Sequence, residues 1–567
     1  MFSDGQSRDQ RFPFLRLPGA PRRRAQPVAR PRRRRPRPAV EHLEDRLTPA
    51  NLPALGDISP AFEGANPYVI GSINAGLVVA AQGTDQGFEP WLIGNDGSVR
   101  LLADINPGSE GSDPYLIGRL GDGLLIGAFT PETGFEPWLI SADGSVRMLA
   151  DINPGPAGSN PRMISDIDVG TVIVAETADA GAEPWLISAD GSVRMLADIN
   201  PGPAGSNPYW AGRFAAGIVI GAFSPETGVE PWLIAMEDGS VRLLADINPG
   251  SADSNPYGVA TIAAGHVIGA FDPDHGVEPW LIDNNGSLQL LADINPGPEG
   301  SDPYSIGLSE AGYIIGARTA EQGFEPWLIP ADGGSPRLLA DLNPGAADSN
   351  PYLLGTISAG LVIGVQTPDH GIEPWLIPAD GGSPRLLADI NVGDAGSNPY
   401  VLGQIGAGLV IAAQTPEQGT ELWLVADDGA VRQLADLNPG AAGSDPQVLG
   451  TLGDRLIITA RTADQGRQVF VIDATGMVQL LTKLDTGNSD SNPRLLGNVD
   501  AGMVLAAEGT DGVVRTWLMA ADGSFRLLAR LNPTATNSDD TSSSGDGSGD
   551  TNSDLMFVPG EDETLKP

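Results

Sequence analysis

The sequence contains no cysteine and only four histidines among its 567 residues. The lack of cysteine excludes disulfides, thiolate zinc sites, iron–sulfur clusters and a cysteine nucleophile, and it leaves the redox compartment open. The histidines are His42, His266, His275 and His370. Of these, His275 and His370 fall in predicted exposed turns, and His266 falls in a predicted apolar strand. None of them is expected to act as a catalytic base.

Long apolar runs are also missing. No run approaches the roughly 18 residues of a bilayer-spanning helix, so membrane insertion is not expected. No stretch shows the 3.6-residue apolar periodicity of an amphipathic helix. The apolar residues come instead in short runs of strand length, divided by turn residues among the 74 glycines and 49 prolines. The sequence therefore predicts an all-β protein.

Positive charge is scarce outside the first 50 residues. The formal net charge is −39, but residues 1–50 hold 13 arginines against five acidic residues, which is +8 and leaves −47 for the rest. A body this acidic repels nucleic acid and anionic membrane surfaces. It favours cations, basic partners or solubility alone, and no nucleic-acid partner is expected.

One aromatic position marks a repeat along the chain. It recurs every 47 or 48 residues, at Trp91, Trp138, Trp185, Trp232, Trp280, Trp327, Trp375, Trp423, Phe470 and Trp517. Ten units of this period predict a β-propeller of about ten four-stranded blades, with the tryptophans packed between blades. Because propellers commonly have about four to eight blades, two smaller propellers and an open β superhelix remain alternatives.

Turn residues divide each unit into four predicted strands. In the second unit the strands are predicted at 115–118, 123–129, 137–141 and 146–150. Pro137 lacks a backbone donor, which favours the first position of the third strand. Asp143 and Gly144 are predicted to form a two-residue hairpin turn of the primed type.

The composition changes at both ends of the repeats. Residues 1–50 are predicted to be a disordered basic leader, residues 51–533 the ten-unit body, and residues 534–567 a disordered acidic tail rich in Ser, Gly and Asp. The leader ends in Leu43-Glu44-Asp45-Arg46 with a nearby Pro49-Ala50. It resembles the leaders of many large bacterial surface and secreted proteins, which implies an extracellular or cell-surface location.

The eighth unit carries a recognisable motif. It reads Glu-Leu-Trp at 421–423, Asp-Gly at 428–429 and Asp-Leu-Asn-Pro-Gly at 436–440. This resembles the ELWxxDGT repeat family, and the resemblance spans roughly residues 54–533. The departures are five residues, rather than three, from Trp91 to Asp96, and Ser98 in place of threonine. The resemblance implies an exported, propeller-like β-repeat protein of no established activity.

A metal site is predicted from the hairpin register. If the hairpin turn has two residues, Trp91 faces Leu102 and Glu89 faces Asp104, and like charges directly opposite each other destabilise a ladder. A Ca²⁺ ion between the carboxylates removes that cost, and a neighbouring asparagine supplies a further hard oxygen. Solvated carboxylates are the alternative. The candidate ligands in the first two units are Glu89, Asp104, Asn106, Glu136, Asp151 and Asn153.

No motif for catalysis is visible. A Ser-His-Asp arrangement, a glycine-rich phosphate loop and a histidine-rich metal cluster are each absent at usable spacing. We therefore expect a non-enzymatic binding or structural module in adhesion or cell-envelope organisation, with an extracellular protein or glycan as partner. The alternative is a polysaccharide-active enzyme on a propeller scaffold, since acidic pairs occur in every unit.

Overall fold

The computed structural model describes residues 68–82, 86–94, 99–464, 466–482, 494–499, 502–508, 514–520 and 525–530. These residues form forty β-strands in ten four-stranded antiparallel sheets, here called blades 1 to 10 in chain order, with no helix among them. The prediction of an all-β protein with ten four-stranded blades is confirmed. The predicted leader and tail, and His42, lie outside the described residues.

Four consecutive strands make each blade. Blades 1 to 5 contain β1 (Tyr68–Ile73), β2 (Gly76–Gln82), β3 (Phe88–Gly94), β4 (Val99–Leu101), β5 (Tyr115–Leu120), β6 (Gly123–Thr130), β7 (Gly134–Ile140), β8 (Val146–Met148), β9 (Arg162–Ile167), β10 (Gly170–Thr177), β11 (Gly181–Ser188), β12 (Val193–Met195), β13 (Tyr209–Phe214), β14 (Gly217–Ser224), β15 (Gly228–Ala235), β16 (Val241–Leu243), β17 (Tyr257–Ile262), β18 (Gly265–Asp272), β19 (Gly276–Asp283) and β20 (Leu288–Leu290). Blades 6 to 10 contain β21 (Tyr304–Ser309), β22 (Gly312–Thr319), β23 (Gly323–Pro330), β24 (Arg337–Leu338), β25 (Tyr352–Ile357), β26 (Gly360–Thr367), β27 (Gly371–Pro378), β28 (Arg385–Leu386), β29 (Tyr400–Ile405), β30 (Gly408–Thr415), β31 (Gly419–Ala426), β32 (Val431–Ala435), β33 (Gln447–Leu452), β34 (Arg455–Thr462), β35 (Gly466–Ile472), β36 (Val478–Thr482), β37 (Arg494–Val499), β38 (Gly502–Glu508), β39 (Val514–Ala520) and β40 (Phe525–Arg530).

Every blade is a meander in which each strand pairs with the next along the chain. The first and fourth strands are therefore the two edges of the sheet. In blade 2 the first strand carries a β-bulge, because Leu116 pairs with Ile126 and Gly118 pairs with Leu125. Ile117 is left between them, buried and without a partner in the ladder. Such a bulge changes which side chains share a face of the strand.

The apolar core lies between blades. One cluster joins Ile70 and Val78 of blade 1 with Leu124 and Ile126 of blade 2, and Trp138 packs against it. The second strand of blade 2 is buried on both faces over its first six residues. Strands of this kind need cover on both sides, and neighbouring blades supply it. The prediction that the repeated tryptophan packs between blades is confirmed.

The predicted two-residue hairpin turn is wrong. Asp143 does not take the positive φ that a primed turn needs, whereas Gly144 has a φ of 83°. The Gly144 amide donates to the Ser141 carbonyl at 2.8 Å, and the Asp143 carboxylate accepts from the Ser145 amide at 2.9 Å. The loop is therefore a three-residue one, a turn closed by a left-handed glycine. The Asp143 side chain accepts a hydrogen bond within the turn, and its backbone does not adopt the positive φ of a primed turn.

The third and fourth strands also differ from prediction. The third strand begins at Gly134, so Pro137 lies inside it, opposite Gly127 of the second strand. Pro137 still accepts a hydrogen bond from the Leu149 amide at 2.9 Å. The Pro137 nitrogen, which carries no hydrogen, faces the side on which the fourth strand has already ended at Met148. Proline is tolerated there because no ladder hydrogen bond is lost.

The last blade is complete, since β40 pairs with β39 as its fourth strand. Residues 55–58, which copy a fourth strand in sequence, lie outside the described residues. Three arrangements of the blades therefore remain predictions: one ring of ten blades, two smaller rings, or an open superhelix. Electron microscopy of the purified chain distinguishes them by outline.

Candidate functional site

A glutamate with almost no exposed surface occurs in each of blades 1 to 8. It lies in the third strand, two residues before the repeated tryptophan. All eight are at most 1% exposed, and they are Glu89, Glu136, Glu183, Glu230, Glu278, Glu325, Glu373 and Glu421. A carboxylate buried to this extent requires hydrogen-bond donors, because desolvation of an unpaired charge is costly. The donors come from the segment that leads to the next blade, which we call the connector.

Glu136 shows the arrangement in full. Its Oε2 accepts from the Ile152 amide at 3.0 Å and from the Ser159 hydroxyl at 2.6 Å. Its Oε1 accepts from the amides of Asn153 at 3.1 Å and Ser159 at 2.9 Å. Four donors surround two oxygens, so this carboxylate has no need of a further ligand. We call the glutamate, its serine and the two connector amides the junction cluster.

The same cluster recurs at each of the eight junctions. In the first, Glu89 accepts from the Ile105 and Asn106 amides at 2.9 and 3.0 Å and from the Ser112 hydroxyl at 2.7 Å. The partner serines are buried, and they are Ser112, Ser159, Ser206, Ser254, Ser301, Ser349, Ser397 and Ser444. The sequence analysis missed them. The signal was present, since a serine follows each of these glutamates by 23 or 24 residues.

The asparagine of the connector completes the junction. The Asn153 side-chain amide donates to the Gly158 carbonyl at 2.8 Å, which closes the connector into a compact loop. Its carbonyl oxygen accepts from the Ala178 amide of the next blade at 3.0 Å. A Cβ atom on Gly134 would overlap the backbone of Gly158. The third strand and the connector can therefore approach this closely only because both positions are glycine.

Burial dominates the electrostatics of these glutamates. It raises the pKa of all eight above the ordinary value, and hydrogen bonds from the serine and the connector amides oppose the rise. The pKa reaches about 7 for Glu230 and for Glu325. Titration of Glu230 and Glu325 is therefore expected to affect their junctions near neutral pH.

The structure places the predicted calcium ligands differently from the arrangement that the predicted hairpin register implies. Trp91 faces Leu101, and the fourth strand ends there, so Glu89 has no ladder partner at Asp104. Blade 2 shows the same one-residue shift, with Trp138 facing Met148, and its three-residue loop is the cause. Asp104 is exposed and accepts from the Gln86 side chain at 3.2 Å.

The second unit repeats this separation. Glu136 and Asn153 are buried in the junction cluster, whereas Asp151 is exposed. Within the described residues, no three His, Cys, Asp or Glu side chains form a group with metal-site geometry. Calcium binding by the exposed aspartates remains a prediction for experiment.

The described histidines make local contacts. His266 is 4% exposed, with Nδ1 at 2.9 Å from the Thr261 hydroxyl and Nε2 at 3.1 Å from the Ala211 carbonyl, and burial lowers its pKa. The predicted exposed turn residues are instead half-buried. His275 contacts Asp272 at 2.9 Å, and this hydrogen bond raises its pKa. His370 contacts Asp389 at 3.1 Å.

Two further contacts fasten one blade to the next. A first-strand tyrosine hydroxyl donates to the carbonyl of the proline before the next blade, as from Tyr115 to Pro161 at 2.8 Å. A fourth-strand arginine donates to the third hairpin of the next blade, as from Arg242 to the Gly286 carbonyl at 2.7 Å.

One cleft of about 480 Å³ lies beside the connector after blade 2. Its walls are mostly Pro, Gly and Ala, and the ionisable side chain among them is Glu176. Such a wall offers little of the convergent polar chemistry that an active site needs.

Exposed apolar side chains recur on the first strands. They occupy the second position of the strand in eight blades and are 37 to 63% exposed. We call them the first-strand row, and its members are Val69, Leu116, Met163, Trp210, Leu353, Val401, Val448 and Leu495. Blades 5 and 6 have Gly258 and Ser305 at this position. A recurring exposed apolar position is typical of a binding surface.

Comparison with known proteins yields no family. No protein-family model matches the chain, and no curated protein matches it. Among solved structures, the BP39L lectin from Burkholderia pseudomallei is 10% identical, with 74% of this chain and 98% of the lectin covered at a TM-score of 0.23. A puromycin hydrolase is 15% identical, with 62% and 58% covered at a TM-score of 0.26. A Mycobacterium tuberculosis puromycin-hydrolyzing peptidase is 15% identical, with 59% and 55% covered at a TM-score of 0.27. The chain thus spans little more than half of the two hydrolases.

Proposed function

We propose that the chain is an exported, non-enzymatic β-propeller that acts as a binding or structural module at the bacterial cell surface, in adhesion or envelope organisation. The observation that carries the proposal is the repetition of the junction cluster. Buried carboxyls of raised pKa are candidates for catalysis in general. Here they occur eight times in equivalent positions, and each is hydrogen-bonded to the connector that it holds. Repetition of this kind favours a role in fastening blades together.

The location belongs to the same proposal. The arginine-rich leader that ends at Leu43–Arg46 supports export, and the charge of −47 after residue 50 supports a well-solvated surface protein. The described part of the chain contains no helix with the length and apolarity of a bilayer span. A repeated scaffold with an exposed apolar row supports binding to an extracellular protein or glycan.

The experiment compares binding with turnover. Purified full-length chain is incubated with a panel of bacterial and host polysaccharides and with extracellular proteins, and both retention and product release are measured. We expect retention of at least one of these without product release. Release of oligosaccharides that persists in repeated preparations would overturn the non-enzymatic proposal and support the polysaccharide-active alternative.

A further inference from the structure

The first-strand row is a continuous feature of the fold. In the bulged first strands of blades 1 to 9, the second and fifth residues are exposed, while the third and sixth are buried or half-buried. The first strands of all successive blades contact one another, with Cα atoms within 8 Å. Row residues of neighbouring blades therefore follow one another along one edge of the molecule.

The charge of this edge differs from that of the rest of the protein. The ten first strands contain Arg119, Arg162, Arg213 and Arg494 against one acidic residue, Asp166. Their net charge is +3, whereas all residues after position 50 together carry −47. The first strands of blades 1 and 5 to 9 contain no charged residue, which fits a partner segment that is apolar and uncharged.

The spacing of the row fits an extended polypeptide. In an extended chain, side chains on one face are about 6.6 to 6.8 Å apart. Neighbouring first strands approach each other to within 8 Å between Cα atoms, so the alternate side chains of an extended segment have a spacing similar to that of successive blades. Peptides bound in extended form often derive specificity from alternate side chains in this way.

We propose that the first-strand row binds an extended, uncharged segment of another protein that carries apolar side chains at alternate positions. The proposal rests on the binding function proposed above and names the partner class. Gly258 and Ser305 interrupt the row in blades 5 and 6, and the Ser305 hydroxyl lies 2.7 Å from that of Tyr313. Along the chain the row therefore has two stretches of four residues, in blades 1 to 4 and in blades 7 to 10, and each accepts one segment of seven or eight residues.

The test uses two synthetic probes of equal composition. The first is a fluorescently labelled octapeptide of alternating leucine and serine, and the second has four leucines followed by four serines. Binding to the full-length chain is measured by fluorescence anisotropy. The alternating probe is expected to bind with a stoichiometry of two, and the block probe at least tenfold more weakly. Equal affinity for the two probes would overturn the proposed recognition of alternate side chains.

Row variants locate the binding surface. A full-row variant replaces six exposed residues with serine: Leu116, Met163, Trp210, Leu353, Val401 and Val448. Two half-row variants carry the first three or the last three of these changes. Val392→Ser is the matched control, because Val392 is 85% exposed and lies in a connector. We expect the full-row variant to bind the alternating probe at least tenfold more weakly, each half-row variant to bind one peptide instead of two, and the control to be unchanged.

The outcomes separate this inference from the broader function. Unchanged probe binding in the half-row variants, or equal loss in Val392→Ser, would overturn the row as the binding surface. Retention of a polysaccharide that the full-row variant loses, with no binding of either peptide, would overturn the polypeptide as the partner class while leaving a binding function in place. Catalytic turnover would instead contradict the proposed function itself.

Discussion

Blade 9 differs from the eight blades before it at the position of the buried glutamate in the third strand. Blades 1 to 8 have a glutamate there, whereas blade 9 has Gln468, which is 0% exposed. Gln468 is preceded by Arg467, whose Nη1 donates to the Asp445 carbonyl at 2.9 Å and to the Thr459 hydroxyl at 3.2 Å. In the tenth unit the equivalent residue of the sequence is Arg515.

The comparison bears on the role of the glutamate. An amide and a carboxylate have the same shape, and both can accept hydrogen bonds, but the amide also carries donors and no charge. A proton-transfer role would be lost with the titratable carboxyl, whereas a fastening role survives the exchange if the surrounding donors and acceptors adjust. The use of glutamine in blade 9 therefore favours a structural role for the position.

The largest effect is expected when a junction glutamate is removed. Glu278→Ala removes the acceptor for the amides of Ile294 and Asn295 and for the Ser301 hydroxyl. Each buried donor left unsatisfied costs about 1 to 3 kcal/mol, so we expect a loss of at least about 3 kcal/mol in the free energy of unfolding. Chemical denaturation followed by circular dichroism measures it.

Gln468→Ala is the matched variant for that measurement. A neutral side chain makes weaker hydrogen bonds than a charged one, so we expect a clearly smaller loss than for Glu278→Ala. Equal losses in the two variants would mean that cavity formation, and not the hydrogen-bonded charge, controls the stability of the junction.

A smaller effect is expected at the tryptophan position, which is Phe470 in blade 9. Within the described structure, the indole N–H of Trp232 is buried without a hydrogen-bond partner, whereas that of Trp327 donates to the Ala317 carbonyl at 3.1 Å. Trp327→Phe should therefore cost about 1 kcal/mol more than Trp232→Phe. Thermal unfolding of both variants provides the comparison, and the opposite order would contradict the assigned hydrogen bond.

The stability should also depend on pH through the buried glutamates. Since the pKa of Glu230 is raised from 4.5 to about 7, the folded protein binds this proton more tightly than the unfolded chain. Its stabilising contribution is complete below pH 4.5 and is lost as the pH rises through about 7. We expect the melting temperature to increase as the pH is lowered from 8 to 5. Glu230→Gln should reduce the slope, and an unchanged slope would contradict titration at this residue.

Calcium should have the smallest effect. The carboxylates of Glu89 and Glu136 are occupied by connector donors, so weak binding is expected at the exposed Asp104 and Asp151 alone. Millimolar Ca²⁺ is then predicted to raise the melting temperature slightly relative to chelator, and the change should diminish in Asp104→Asn with Asp151→Asn. An identical midpoint with calcium and with chelator would refute calcium binding.

The period of the repeat was sufficient to predict the blades, because one tryptophan every 47 or 48 residues and short apolar runs specify four strands between fixed turns. The register was not predictable from the pair Asp143-Gly144. The aspartate can either adopt a positive φ or accept a hydrogen bond from the Ser145 amide. The energy difference between these two conformations cannot be read from the residue types. The partners of Glu136 could not be recognised for another reason, since three of its four hydrogen-bond donors are backbone amides, which every residue except proline carries.

The central claim is that each glutamate holds its connector through buried hydrogen bonds. Hydrogen–deuterium exchange of the full-length chain, read by mass spectrometry on peptides that cover residues 246–254, tests it most directly. Glu230 accepts from the amides of Ile247, Asn248 and Ser254 in this segment. We predict that Glu230→Ala accelerates exchange in residues 246–254 and leaves the connector at residues 389–397 unchanged. Exchange that is unaffected at residues 246–254, or accelerated equally in both connectors, would contradict the claim.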